Sequence, residues 1–210
     1  MKISYGITVC DEDEELNRLL HHLHPLIDEE DQIIILRDVT KTNSQVTKCI
    51  EHFKTIAGNH LISVESKLDN NFASFKNNLL RWTTGDYLFQ LDADEIPNDF
   101  LIENIKQVLH INRDVDCFNI PRINTVSGLK LEHIKKWGWN INEQNQINFP
   151  DPQMRLFKLN RGIKWIKPVH EILDGYETVS TLPYDTEDFC LYHHKTIVKQ
   201  EKQNNYYDTL

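Results

Sequence analysis

Two carboxylates, Asp92 and Asp94, stand two residues apart at the end of the run Gly85-Asp86-Tyr87-Leu88-Phe89-Gln90-Leu91. Residues i and i+2 of an extended segment point the same way, so both acids address one place. Hard oxygen donors in that arrangement suit Mg²⁺ or Mn²⁺, which take one or two carboxylates together with a substrate's phosphates. The tripeptide alone says little, because Asp-x-Asp also occurs at Asp11/Asp13 and Asp114/Asp116. Position singles out the copy at 92–94. Tyr87 to Leu91 is short and mostly apolar, entered by a Gly-Asp turn and left through acids and Pro97, the pattern of a buried strand ending at a site. In an open α/β sheet, ligands collect outside the carboxyl ends of strands. The seven glycines are scattered, with neither Gly-x-Gly-x-x-Gly nor a glycine loop ending in Gly-Lys-Ser/Thr, so a cation must do the work of a phosphate-binding loop.

The elements that must position these acids follow from periodicity. Ile3 to Val9 reads as a first strand, and Asp11 with Glu14 as a capping box before a helix whose inner face is Leu16, Leu19, Leu20, Leu23 and Leu26. Gln32 to Leu36 is a second strand, ending at Arg37-Asp38 and followed by a helix over 44–56. Leu61 to Val64 is a weaker third strand; Phe72, Phe75, Leu79 and Trp82 mark one face of the next helix. After the strand 87–91, Pro97-Asn98 starts a helix with Leu101, Ile105, Val108 and Leu109 inward, and Cys117 to Ile123 returns as a strand. Strands alternating with helices imply right-handed βαβ units, hence a Rossmann-like α/β sandwich with a mainly parallel sheet flanked by helices. The rhythm breaks near Thr125. Leu129 to Pro150 reads as a long loop, strands resume at 154–159, 163–166 and 189–193, and the tail from Thr196 is helical.

Whole-chain properties narrow the function classes. The 210 residues fit one domain. A net charge of −9 disfavours a broad nucleic-acid footprint. Cys10, Cys49, Cys117 and Cys190 form no Cys-x-x-Cys pair, so neither a zinc knuckle nor a disulfide scaffold is indicated. Met1-Lys2 leads directly into a strand, without a signal peptide. No apolar run approaches the ~20 residues of a membrane span. These features predict a soluble cytoplasmic protein with no transmembrane segment. Tyr206 and Tyr207 in the polar tail are the candidate contacts for a homo-oligomer.

Eight short blocks, in order, carry a resemblance: Thr8-Val9-Cys10-Asp11-Glu12, Arg37-Asp38, Asn71 to Asn77, Gly85-Asp86-Tyr87, Asp92-Ala93-Asp94-Glu95, Met154-Arg155-Leu156-Phe157, Val169-His170-Glu171 and His193-His194-Lys195. Together they resemble a family-2 glycosyltransferase of GT-A fold, closest to the bacterial lipopolysaccharide-core type of glucosyltransferase. The resemblance implies a nucleotide-sugar-binding half at 1–124 and an acceptor-side half with a C-terminal helix at 125–210. It assigns Thr8, Asp11 and Asp38 to the base and ribose, Asn71 and Lys76 to the diphosphate or ribose, Asp92 and Ala93 to the nucleotide-sugar, and Asp92 and Asp94 to the metal motif. His193 completes the metal or diphosphate site, with His194 as the alternative, and Asp94 is the favoured direct ligand. Lys76 stands where the family usually has Arg, which exchanges a forked phosphate contact for a point charge. The block Arg37-Asp38-Val39-Thr40 lacks the family's Asp-Asp-Gly-Ser run.

The activity so implied is metal-dependent and inverting: a hexose, glucose by default, passes from a nucleoside-diphosphate sugar, with UDP the expected nucleotide, to a hydroxyl on a carbohydrate or other acceptor. Mn²⁺ or Mg²⁺ stabilises the departing diphosphate, and a carboxylate takes the acceptor's proton. Glu171 is the candidate base and Asp151 the second. Trp137, Trp139 and His170 are candidate acceptor-side residues, the indoles through stacking on a sugar face. The cluster His21-His22-Leu23-His24 reads as a solvated helix face, its spacing lacking an acid partner for zinc. Two rivals stand beside this reading. A sugar-phosphate nucleotidyltransferase shares the core but carries a Gly- and Arg-containing block after the first strand, where this chain has Thr8 to Glu12. A non-catalytic nucleotide-sugar-binding module is opposed by the intact Asp92/Asp94 pair and by His170-Glu171.

Overall fold

A computed structural model describes residues 1–41 and 43–207. The strands are β1 (Ile3–Val9), β2 (Gln32–Asp38), β3 (Leu61–Ser66), β4 (Tyr87–Asp92), β5 (Glu95–Pro97), β6 (Cys117–Ile120), β7 (Arg122–Ser127), β8 (Gln153–Lys158), β9 (Lys164–Ile166), β10 (Ile172–Asp174), β11 (Val179–Thr181) and β12 (Leu191–Thr196). The helices are α1 (Asp13–Leu23), α2 (Ser44–Ala57), α3 (Phe72–Asn77), α4 (Asp99–Ile111), α5 (Leu131–Trp137) and α6 (Ile197–Tyr207). The side chains of Tyr206 and Tyr207 lie outside the described residues.

A seven-stranded sheet runs β11-β6-β8-β4-β1-β2-β3. β4, β1, β2 and β3 are mutually parallel, as alternating strands and helices require. β8 enters antiparallel between β4 and β6, so the sheet is mixed. Its core is the apolar set expected from periodicity. Leu16, Leu19, Leu20 and Leu23 of α1 and Leu101, Ile105 and Leu109 of α4 are fully buried against Ile3, Ile7, Phe89 and Leu91, each such side chain contributing about 1.5–3 kcal/mol. Gly85 sits where a Cβ would lie 2.8 Å from Lys2 O and Ser4 N, so only glycine lets the chain turn into β4.

Several local expectations are corrected. Glu12, not Asp11, is the N-cap of α1, and its carboxylate turns back to accept from the amides of Cys10 and Asp11. α3 stops after six residues and continues as a 3-10 turn at Leu79–Arg81, which leaves Trp82 46% exposed and off the inner face. The strand expected at 117–123 is cut by Pro121, which has no N–H for a ladder. β6 stays in the main sheet, while β7 joins a second, three-stranded sheet of order β5-β12-β7. The stretch 129–150 is not all loop: it holds α5, closed by Gly138 in the left-handed conformation at φ 64°.

The small sheet matters for the site. Its register sets His193 of β12 opposite Glu95 of β5 and Asn124 of β7. A residue nearly a hundred positions downstream is thereby delivered to the end of β4. β9 and β10 form a hairpin whose loop, 167–171, carries Lys167 and His170 at positive φ.

Candidate active site

Asp92 closes β4 next to Thr8 of β1, and the Thr8 hydroxyl donates to Asp92 Oδ1 at 2.7 Å. The chain then turns tightly, with Ala93 N donating to Thr8 O and Asp92 N to Glu95 Oε2 at 3.1 Å. This turn carries Asp92 and Asp94 into different surroundings.

Asp92 belongs to an unbroken row of alternating charge. Glu171 Oε1 lies 2.6 Å from Lys76 Nζ, which lies 3.8 Å from Asp92 Oδ1. Arg155 donates to Asp92 Oδ2 at 2.6 Å and to Glu95 Oε1 at 2.7 Å. Arg122 joins Glu95 at 2.9 Å to Asp151 at 2.8 Å. Burial raises the pKa of Asp92, but Arg155, Lys76 and the Thr8 hydroxyl outweigh it and hold the carboxyl well below its usual range. Burial likewise disfavours the charge on Arg155, and Asp92 and Glu95 overcome it. Four acids face three cations, so the row neutralises itself apart from one negative charge. Glu95, with a fully buried side chain, is its anchor.

Asp94 stands outside the row. His193 Nε2 lies 3.3 Å and Lys195 Nζ 3.5 Å from Asp94 Oδ2. His193 Nδ1 lies 2.7 Å from the side-chain oxygen of Asn124, a contact that orients the ring and turns Nε2 toward Asp94. Burial pushes the Asp94 carboxyl up, but His193 and Lys195 hold it below the usual range. Nearby Glu12 shifts the other way: burial raises it, beyond what the Cys10 amide offsets.

A divalent cation fits the donors here. One carboxylate and one imidazole, both partly exposed at a strand end, are the oxygen and nitrogen ligands that Mn²⁺ accepts. Among the described residues no group of three or more His, Cys, Asp or Glu side chains could hold a metal, so a cation held by Asp94 and His193 would need its other ligands from phosphate and water. Both oxygens of Asp92 are already taken by Thr8 and Arg155.

The structure thus joins Thr8, Lys76, Asp92, Ala93, Asp94, Asp151, Glu171 and His193 in one contiguous region. Asp11 is at its rim, 3.8 Å from Lys41. Asp38 is buried, accepting from Thr40 N, Thr40 Oγ1 and Leu68 N. Asn71 caps α3 through Ser74 N and borders an open cavity of about 460 Å³ with Arg81, Trp165 and Lys167. That cavity touches neither Asp92 nor Asp94, and the chemistry belongs with the converging charges instead. Asp151 accepts from Arg122, Asn124 and Gln153. Trp137 and Trp139 are half-buried with ring centroids 4.6 Å apart, and His133 stacks on Trp137. His170 is exposed in the hairpin loop.

Glu12, Glu95, Arg122, Asn124, Arg155 and Lys195 were not among the expected site residues. Glu12, Glu95, Arg155 and Lys195 stood inside the matching blocks, which was their signal. Arg122 and Asn124 had none, since only the pairing of β7 with β12 brings them in.

A parallel β1–β4 pair with an acid pair at its carboxyl end and a late antiparallel strand is the architecture of a GT-A fold. The family description glycosyl transferase family 2 matches residues 4–163, and the chain belongs to that family. No curated protein matches the chain in sequence. Among solved structures it is similar to Staphylococcus aureus TarS 1-349 in complex with UDP-GlcNAc, at 15% identity and a TM-score of 0.62, covering 93% of this chain and 59% of that one. It is also similar to the mannosyltransferase PcManGT of Pyrobaculum calidifontis in complex with GDP-Man and Mn²⁺, at 15% identity and a TM-score of 0.58, covering 91% and 56%. The chain therefore spans somewhat over half of TarS 1-349 and of PcManGT, and 37% of a longer TarS structure to which it is also similar. Among the described residues no helix is long and apolar enough to cross a membrane.

Proposed function

We propose that this chain is a metal-dependent, inverting hexosyltransferase that uses a nucleoside-diphosphate sugar, a UDP-sugar with glucose as the default hexose, and an acceptor hydroxyl. The observation that carries the reading is Asp94 at the end of β4 with the oriented His193 imidazole 3.3 Å away. The nucleotide-sugar complexes of TarS and PcManGT, the second with Mn²⁺, support it.

In this reading residues 1–124 bind the donor. Asp11 and Asp38 hold the base and ribose with Thr8, while Asn71 and Lys76 meet the ribose or diphosphate. Asp94 and His193 hold Mn²⁺ or Mg²⁺, which when bound offsets charge on the departing diphosphate. Asp92 and Ala93 shape the turn that presents Asp94, and Asp92 steadies Lys76 and Arg155. Glu171 takes the proton of the acceptor hydroxyl. Asp151, with four donors on its oxygens, braces Arg122 and is the weaker candidate. Trp137, Trp139 and His170 lie on the acceptor side.

Release of nucleoside diphosphate from a panel of nucleotide sugars, with Mn²⁺, Mg²⁺ or EDTA, tests the reading. One donor should turn over with metal, and Asp94→Ala should abolish the metal stimulation. No turnover together with no metal-dependent nucleotide binding by calorimetry would overturn it. A finer prediction concerns Asn124. Removing the partner that orients a metal-binding histidine typically weakens metal binding ~10–100-fold, so Asn124→Ala should raise the Mn²⁺ concentration for half-activation by that factor, with donor KM at saturating metal little changed.

A further inference from the structure

The open cavity of about 460 Å³ has no role in the function proposed above, apart from Asn71 at its rim. It is a groove along α3 and the 3-10 turn that follows, from Asn71 to Arg81 on one side, with Trp165 to Pro168 of β9 and its loop on the other. Its charge runs against that of the chain. The chain carries a net charge of −9, yet the lining of the groove includes Arg81 and Lys167 and no acid. Both cations are exposed, and among the described residues neither is paired with a carboxylate. In the neighbouring row of charge, by contrast, Arg122, Arg155 and Lys76 each face two.

The walls of the groove are fixed. Asn77 clasps the backbone of Trp165, donating to its carbonyl at 2.8 Å and accepting from its N–H at 2.9 Å, and the Phe72 N–H donates to the Pro168 carbonyl at 2.8 Å. Asn71 and Asn77 thereby spend their side-chain oxygens inside the protein, on Ser74 N and Trp165 N. The Ser74 hydroxyl, the Arg81 guanidinium and the Lys167 amine remain as groups that can donate to a ligand. Lys167 also holds φ at 72°, a left-handed backbone that glycine or asparagine adopts more readily. Its backbone therefore does not account for a lysine at this position; its place on the groove does. The groove also adjoins the reaction centre. Lys76 Nζ stands 4.9 Å from the Trp165 ring centroid and 2.6 Å from Glu171. The loop 167–171 sets Lys167 and Pro168 on the groove and ends at Glu171. An acceptor whose hydroxyl reaches Glu171 can thus lay a neighbouring group across this loop into the groove.

We propose that this groove binds an oxyanion carried by the acceptor, a phosphate ester or a carboxylate, with Arg81 and Lys167 as its counter-charges. Arg81 offers a planar fork that suits either group, and Lys167 a point charge. The acceptor role rests on the glycosyltransferase reading above, with Glu171 as the base; the oxyanion site does not. The test is calorimetry with glucose, glucose 6-phosphate and glucuronate as probes, on the intact chain and on Arg81→Met and Lys167→Met. Both side chains are exposed, so neither substitution should disturb folding. Wild type should bind one anionic probe at least ~10-fold tighter than glucose, and which one it is separates phosphate from carboxylate. Each substitution should cost that probe about tenfold in affinity, the size of one charge-assisted contact, and leave glucose unchanged. UDP binding with Mn²⁺ should hold its wild-type affinity in both variants. Wild type that binds neither anionic probe better than glucose would overturn the proposal, as would anion binding that survives both substitutions. A matching loss of UDP affinity would give the groove to the donor and overturn the acceptor role. Wild type that takes the anionic probe but neither UDP nor GDP would instead sink the nucleotide-sugar reading and leave the oxyanion site standing.

Discussion

Glu171→Gln is expected to slow sugar transfer about 10²–10⁴-fold, the range a positioned general base contributes, while nucleotide and Mn²⁺ affinities stay within a factor of two. Glu171 sits in the β9–β10 hairpin loop, outside the metal pair, and pairs with Lys76 at 2.6 Å. Glutamine keeps the shape and one acceptor for that amine, and Lys76 retains Asp92 as a second anion. The substitution therefore removes proton-accepting capacity with little change to the donor side. Two readouts separate this from a tethering role. Loss of a base lowers kcat and leaves the donor KM unchanged. Loss of a tether alone would instead act through the donor KM and be mimicked by Lys76→Met. Near-normal turnover would remove Glu171 from the role and leave Asp151, at the far end of the same row of charges, as the carboxylate to test.

How much of this site could be read in the chain divides along contact distance. Asp92 and Asp94 were legible because a strand's apolar run and the residues just beyond it are local, and the end of a parallel strand is where ligands gather. The helices were legible for the same reason, Leu16 to Leu23 and Leu101 to Leu109 falling inward as their spacing required. Partners fixed by nonlocal register were not. Nothing near Arg122 shows that Pro121 will break its strand and pass it to a second sheet, or that β12 will then align His193 with Asn124. Arg155 looks like the polar position of an alternating strand. Only the antiparallel insertion of β8 beside β4 turns it inward to Asp92 and Glu95. Trp137 and Trp139, two exposed-looking indoles in a polar stretch, spend their faces partly on each other and on His133.

That burial of opposed charges carries its own prediction. Arg155→Met should destabilise the protein by about 3 kcal/mol, the low end of what breaking a buried ion pair costs, on the order of 6–12 °C in Tm for a chain of this size. Arg155 is 5% exposed, and one of its amines serves both Asp92 and Glu95. Methionine fills similar space but leaves two neighbouring carboxylates short of a cation. The cost stays at the low end because Arg122 still meets Glu95 and Lys76 still faces Asp92. The sign with pH follows from Asp92, whose carboxyl Arg155 holds below its usual range in the folded protein. A depressed acid contributes stability above its unfolded pKa of about 3.9 and loses that contribution as pH falls toward the folded value. The gap between wild type and Arg155→Met should therefore be full at neutral pH and narrow below about pH 4. Arg155→Lys, which keeps the charge without the planar fork, should fall between the two. Denaturant melts of all three at pH 7 and at about pH 2.5, below the unfolded pKa, measure this directly. A gap that does not depend on pH would mean that Arg155 stabilises the sheet by packing alone, and that the row of charges from Glu171 to Asp151 is not the framework holding the site.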